Sequence, residues 1–480
     1  MVREHLKMEI SPSRNYIKII SEKENRYLDR YLFVFGGLTY FLFVNFVRMI
    51  VLHGTGEATF FQIDYAIPPV FVWIARRINI NRFFIRIISF FLVLLTLSAD
   101  IICLVGRQFR WGIDAIPQYI GSYQDLPWPI LLPISLGILI LSIIFTAALK
   151  GLSRCNSSIW PLILCVTILL VADASIGTSR FRSNASGINL ITTALTDIGP
   201  MYAGSSLKGG ALRKLRNGTM YVDLRSAPLP PQILSVAVES FGWAQDPAQR
   251  ASLVEPLMRN LSNYYTIEYN THEYFGTTLQ GEIRELCGAR LVGNATSPTV
   301  MRRLPRCLPA TMHHQGYDTQ SIHGNGSRFY SRFTVYPTMG FQKSWFYDEL
   351  LAQDSQITPC KNTSFRGACD AFVFRRALNL FDGRKRFVHL MTLDSHLPIN
   401  DSVTTGCPPG FEKNPQLCSY AYLIRRSLNE LSNNVITAKY RPNLIIIFGD
   451  HAPPFMSNSA RRAFSKDKVP YIVLRLKNNS

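Results

Sequence analysis

Apolar runs of bilayer-spanning length crowd the first third of the chain, near 31–51, 84–106, 127–149 and 158–176, with a weaker, proline-interrupted run near 60–76. A helix satisfies its own backbone hydrogen bonds, and about 20 apolar residues are enough to cross the hydrocarbon layer. The chain is therefore expected to hold a multi-span α-helical membrane domain over 31–176, with about five transmembrane helices behind a cytoplasmic segment 1–30. Basic residues give the orientation. Arg3, Lys7, Arg14, Lys18, Lys23, Arg26 and Arg30 precede the first run, Arg76-Arg77 with Arg82 lie between two runs, and Lys150 with Arg154 between two others. With these on the cytoplasmic side, five spans put everything after about 177 outside; four would reverse the result.

Cysteines bear on the same point. Cys103, Cys155 and Cys165 lie in or beside the apolar third, whereas Cys287, Cys307, Cys360, Cys369, Cys407 and Cys418 follow it, with no CxxC pair among them. An even set of this kind fits an oxidising compartment. Neighbouring pairs would close short loops, although spacing leaves the connectivity open. The formal charge is +19. A membrane-embedded chain without a nucleic-acid module does not direct that charge at nucleic acid. Between 177 and 225, Arg180, Arg182, Lys208, Arg213, Lys214, Arg216 and Arg225 face only Asp197 and Asp223. The stretch 177–228 reads as interfacial helices and linker able to hold anionic lipid head groups, the alternative being a solvated linker. Ala227-Pro-Leu-Pro-Pro marks a boundary, and 229–480 forms the second domain.

In that domain short apolar strands alternate with helical stretches such as 250–264 and 417–435, the pattern of an α/β sandwich with a largely parallel sheet. Three strand-like runs, Ile233–Val238, Phe387–Leu393 and Leu444–Phe448, empty into polar residues: Glu239, His396 and the pair Asp450-His451. Ligands collect outside the carboxyl ends of such strands. Two carboxylates and an imidazole converging there suit one divalent metal, Mn²⁺, Mg²⁺ or Zn²⁺, and the ligand set does not decide among them. In Gly276-Thr-Thr-Leu-Gln-Gly-Glu-Ile-Arg-Glu-Leu-Cys-Gly288 a glycine turn precedes a helix-compatible run. That places the hydroxyls of Thr277 and Thr278 at a helix N-terminus, where free N–H groups favour an anion such as phosphate. Alone, such a threonine is more simply an N-cap; beside a metal its hydroxyl becomes a nucleophile.

Taken in order, Val238-Glu-Ser, Thr278, Ser395-His396-Leu-Pro and Phe448-Gly-Asp-His-Ala-Pro resemble the extracytoplasmic domain of lipoteichoic acid synthase and its relatives in the alkaline phosphatase/sulfatase superfamily. With the five-span anchor the likeness covers nearly the whole chain. Thr278-x-x-Gly281 with Cys287-Gly288, then Cys307-Leu, is similar to the phosphoglycerol transferase that decorates osmoregulated periplasmic glucans in Gram-negative bacteria. The resemblance implies that Thr278 is the nucleophile and that Glu239, Thr278, Asp450 and His451 surround the metal. His323, Asn325, Tyr330, Arg332 and His396 would line the head-group site. Asn325 and Tyr330 depart from the acid and tryptophan of that family, which leaves the head group open. Arg is the natural bidentate partner of phosphate, and His396 would protonate a leaving oxygen or hold the phosphate.

The expected activity is a membrane-anchored phosphoglycerol transferase. It would carry the head group of an anionic phospholipid, phosphatidylglycerol, to a periplasmic or cell-surface glycan through a phosphothreonine, at a bacterial inner membrane. The alternatives are a phosphoethanolamine transferase acting on a glycan or lipid, and a catalytically silent subunit that binds lipid or glycan. Hydrolytic sulfatase chemistry finds no Cys/Ser-x-Pro-x-Arg segment, since Cys307-Leu-Pro-Ala-Thr lacks the arginine. His389, inside an apolar strand, reads as a core histidine.

Overall fold

The computed structural model describes residues 35–47, 62–109, 128–149, 159–176, 212–214, 229–274, 276–291, 304, 306–355, 357, 359–361, 365–397, 399, 406–455 and 457–477. Among them the chain divides into a helical unit and an α/β unit. The segment 1–30 and its basic residues, and nearly all of 177–228, lie outside the described residues.

The helical unit contains α1 (Phe35–Val47), α2 (Ile67–Arg77), α3 (Arg82–Phe109), α4 (Trp128–Leu149) and α5 (Trp160–Ile176). Pro68 and Pro69 open α2, where a missing N–H costs no hydrogen bond. Tyr40, Phe41, Val44, Val72, Phe145 and Leu162 pack inside, while Phe35, Phe91, Leu132, Trp160 and Leu164 stand outside. Such an outward apolar surface is of the kind that lipid covers. Among the described residues one stretch, Arg82–Asp100, is long and apolar enough to cross a membrane; Phe35–Val47, Ser135–Ala147 and Trp160–Leu169 are apolar but shorter. Helices thus stand at each of the five expected runs, and one meets the length and hydropathy of a span.

The α/β unit is built on a seven-stranded sheet: β2 (Gln232–Val238), β3 (Tyr265–Glu273), β5 (Asp318–His323), β6 (Lys343–Trp345), β7 (Arg386–Met391), β8 (Leu444–Gly449) and β9 (Lys468–Leu476). The spatial order is β3-β9-β8-β2-β7-β5-β6. β8, β2, β7, β5 and β6 run parallel, and β9 is antiparallel to both β8 and β3. The expected largely parallel sheet therefore carries an antiparallel margin. β2, β7 and β8 are buried along their whole length, as strands covered on both faces must be. Alternate residues serve the two layers: Leu234 and Val236 join Leu253 and Leu257 of α6 (Pro247–Leu261), whereas Ile233 and Ala237 join Leu279 and Ile283 of α7 (Thr278–Cys287). A separate short pair joins β1 (Leu212–Lys214) to β4 (Ala289–Leu291). In the stretch expected to be interfacial helix, the described residues 212–214 are therefore a strand, because they have a partner just beyond α7. Disulfides link Cys287 to Cys307, Cys360 to Cys369 and Cys407 to Cys418, the neighbouring pairs in each case.

Candidate active site

Register brings the strand ends level. Val238 stands beside Gly449, and Ala237 beside both Phe448 and Met391, so Glu239 and Asp450 leave adjacent parallel strands at one edge. Gly449 permits the closeness: a Cβ there would lie 1.9 Å from Phe241 O. Ser240 follows Glu239 with φ 59°, a conformation costly for a residue with a side chain. It is held by its N–H on Asp450 Oδ1 (2.7 Å), its hydroxyl on Glu239 Oε1 (2.9 Å) and the Tyr420 hydroxyl on its own carbonyl (2.7 Å). The Glu239 backbone is clasped as well, its N–H donating to Thr392 Oγ1 (2.8 Å) and its carbonyl accepting from Ser395 Oγ (2.6 Å).

One ligand atom each of Glu239, Asp450 and His451 lies within 4.8 Å of the others, and all three residues are buried. The hydroxyl of Thr278 stands 3.2 Å from Glu239 Oε2 and 3.3 Å from His451 Nε2. Nδ1 of His451 bonds Ala452 O at 2.9 Å, which directs Nε2 into the cluster. That nitrogen lies 3.4 Å from both Glu239 Oε1 and Asp450 Oδ2. Asp450 Oδ1 accepts two backbone N–H groups, whereas Oδ2 is buried with no hydrogen-bond partner. Two carboxylates, an imidazole nitrogen and a hydroxyl oxygen thus converge, a donor set that a divalent cation fits. Without a cation between them, such groups draw protons to the same place. Burial and the adjacent Glu239 push Asp450 up to about 7. Burial opposes charge on His451, yet Asp450 and Glu239 raise it to about 9. Burial alone would raise Glu239, but His396 and His451 hold it far below the carboxylate range.

Helix α7 presents Thr278 as its first residue, with Thr277 as the N-cap whose side chain makes no capping bond. The expected threonine cap is therefore Thr277, and Thr278 stands one place inside. Gly281 explains the Thr278-x-x-Gly281 spacing: a Cβ there would lie 2.7 Å from Asp450 O and 2.8 Å from its Cα.

The other expected residues fall in two groups. His396 joins the cluster: its Nε2 is 3.9 Å from Glu239 Oε1, Nδ1 bonds Leu397 O at 2.7 Å, and Phe365 packs with a centroid separation of 4.0 Å. Burial depresses its pKa, favouring the neutral ring. Strand β7 stops at Met391, and the turn leading to His396 is fixed by Asp370, whose Oδ1 accepts from Leu393 N (2.7 Å) and Asp394 N (3.3 Å). His323 ends β5, with Nδ1 3.1 Å from Met391 O, and burial with the nearby Arg332 pushes it down to about 3. Arg332, expected as a phosphate partner, is fully buried and donates to Glu282 Oε2 (2.9 Å) and the Tyr336 hydroxyl (3.1 Å), with Tyr330 against its guanidinium at 5.2 Å. Asn325 caps its neighbour, accepting from Gly326 N at 2.7 Å, and makes no described contact with the metal cluster. His389 is the expected core histidine, bonded to Ser235 Oγ (2.9 Å) and Glu282 (3.3 Å). Sequence reasoning passed over Ser240, Glu282, Arg284 and Glu285. The signal available was charge on the inward side of a helix whose other inward residues are apolar.

These features can be set beside known proteins. Lipoteichoic acid synthase 2 of Bacillus subtilis is 24% identical over 151 residues, 30% of this chain and 22% of that protein, so well under two thirds of the relative is spanned. The Streptococcus pyogenes phosphoglycerol transferase GacH, solved with sn-glycerol-1-phosphate, shares 18% identity over 55% of this chain and 78% of its own, with a TM-score of 0.39. The Neisseria meningitidis lipooligosaccharide phosphoethanolamine transferase A (EptA), an integral membrane protein, shares the fold over 93% of this chain and 88% of its own at 12% identity and a TM-score of 0.50. A family profile described as Sulfatase matches residues 234–476, from β2 to the last residue of β9 and so across the whole sheet and every residue of the metal cluster. The chain belongs to the sulfatase family.

Proposed function

We propose that the protein is a membrane-anchored, metal-dependent head-group transferase that moves phosphoglycerol from phosphatidylglycerol to a glycan hydroxyl through Thr278. The observation that carries this reading is the Thr278 hydroxyl, buried at the start of a helix and within 3.3 Å of a carboxylate oxygen and an imidazole nitrogen. Glu239, Asp450, His451 and the Thr278 hydroxyl would hold one divalent ion, Mn²⁺ by preference, which when bound lowers the hydroxyl pKa and offsets charge on the phosphoryl group. Thr278 Oγ attacks phosphorus, the bond from phosphorus to the diacylglycerol oxygen breaks, and the threonine proton ends on that oxygen. A glycan hydroxyl then attacks the phosphothreonine, the bond to Thr278 Oγ breaks, and the proton returns to Thr278. The N–H groups opening α7 would face the transferring group. His396, held neutral by burial, would take up the threonine proton and pass it to the leaving oxygen, or hold the phosphate.

The five-span topology, with an extracytoplasmic α/β unit at a bacterial inner membrane, accompanies this reading, and the three disulfides support an oxidising compartment. Phosphoethanolamine transfer is the second reading, favoured by the likeness to EptA along 93% of the chain. Intact-mass measurement after incubation with phosphatidylglycerol and, separately, phosphatidylethanolamine tests both. A phosphoglycerol adduct that is absent from Thr278→Ala is expected. An ethanolamine adduct alone selects the second reading, and no adduct with either lipid ends covalent transfer.

A further inference from the structure

We infer that Arg284 is a positioning residue that locks the Asp450-His451 turn to the helix carrying Thr278, setting metal ligands and nucleophile in register. The inference rests on the metal-centre reading above. Arg284 lies on α7, six residues after Thr278, and is 1% exposed. Its guanidinium reaches across to the end of β8, where Nη2 donates to Gly449 O (2.8 Å) and Nη1 to Asp450 O (3.1 Å). Those carbonyls belong to a metal ligand and to the residue before it. On the same helix Gly281 lies against the Asp450 backbone, so helix and turn meet at two points.

The arginine is itself held. Nε donates to Glu285 Oε1 at 2.6 Å, and the same oxygen lies 2.7 Å from His272 Nε2 on β3. Burial would raise the Glu285 carboxyl, but His272 and Arg284 keep it at about 2, so the anchor is ionised. A charged side chain with no access to water is an expensive way to join two elements, and apolar packing does the same work with less desolvation. What a planar guanidinium adds is a fixed fork whose donors set the direction of two carbonyls at once. That geometry passes through the Asp450 backbone to the carboxylate, and along α7 to the Thr278 hydroxyl. Arg284 touches no reacting atom; it fixes the distance between those that do.

The test uses the full chain in detergent micelles, with Arg284→Gln and Arg284→Lys, Mn²⁺ binding by calorimetry, and steady-state release of head group from phosphatidylglycerol. For Arg284→Gln, Mn²⁺ affinity falls about tenfold or more and kcat about a hundredfold, while KM for lipid changes little. Arg284→Lys, able to reach one carbonyl, recovers part of both. Folded variants with wild-type Mn²⁺ affinity and kcat overturn the proposal, as does an effect confined to KM. Should Arg284→Gln fail to fold, hydrogen exchange in the wild type decides. Mn²⁺ is expected to slow exchange at 449–451 and 281–287 together, and protection of 449–451 alone refutes the coupling. If the wild type binds no Mn²⁺, the metal-centre reading fails and takes this proposal with it; normal wild-type binding beside unaffected Arg284 variants removes this proposal only.

Discussion

Two of the clusters of buried charge in the α/β unit, around Glu282 and around Asp450, solve the same problem in opposite ways. Around Glu282 every demand is met within the protein: Arg332, Tyr336 and His389 all converge on its carboxylate, and each is wholly buried. Burial would raise that carboxyl, but Arg332 and His389 bring it down to about 2. Around Asp450 a second carboxylate, Glu239, crowds in, one carboxylate oxygen has no hydrogen-bond partner among the described residues, and the pKa climbs to about 7. Burial is equal, so burial does not mark the site. The unmet demand for positive charge does, and on the metal-centre reading a cation rather than a proton meets it.

The contrast is open to attack, beginning with the largest effect. Asp450→Ala is expected to abolish Mn²⁺ binding and to reduce head-group transfer by on the order of 10³-fold, read by metal analysis and turnover. A variant retaining both would erase the distinction between the clusters. Glu282→Ala leaves Arg332 charged and unpaired, so it is expected to destabilise the domain by about 3–5 kcal/mol with Mn²⁺ binding intact in the folded fraction. The double change Glu282→Leu with Arg332→Met should recover part of that loss, the rest remaining because Tyr336 and His389 lose their buried partner, measured by denaturant titration. If Arg332 also contacts the head group, KM for lipid then rises about tenfold or more.

The pH responses should run in opposite senses. Glu282, lowered from 4.5 to about 2, contributes stability present above 4.5 and lost as pH falls through 2. Asp450, raised from 3.8 to about 7, contributes stability present below 3.8 and lost as pH rises through 7; His451, raised from 6.5 to about 9, extends that loss upward. Chelator-treated protein should therefore lose thermal stability from these two groups as pH rises from about 4 to about 9, and Mn²⁺ should flatten the slope. A slope that persists with metal bound would place its origin elsewhere. The smallest effect is expected from Thr277→Ala. Its side chain makes no capping bond, so stability should change by less than about 0.5 kcal/mol and the phosphoryl adduct should persist.

Much of this was legible in the sequence because it depends on local order. Runs such as Leu444–Phe448 announce buried strands, and the polar residue after each lies where parallel register must bring it. The cysteine neighbours likewise proved to be partners. What could not be read were pairings across long separations. That β9 runs against β8 depends on which edge the last strand joins, and that Arg332 pairs with Glu282 depends on two helices 50 residues apart meeting. Gly281 looked like a motif residue; only the approach of Asp450 shows why a side chain there is excluded. Residues 212–214 were misread because their β partner lies on the far side of α7.

The order of strands also sets a timetable. β3 has one neighbour in its sheet, β9, and β2 waits for β8 before both its edges are covered. Asp450, whose carboxylate fixes Ser240, follows it by 210 residues. While the chain emerges, then, the half of the centre holding Glu239 and Thr278 exists long before the half that completes it. Contacts of such separation form late. On the proposed reading, a partly made chain would carry Thr278 without the two ligands at 450 and 451, and would stay inert until synthesis has passed residue 451.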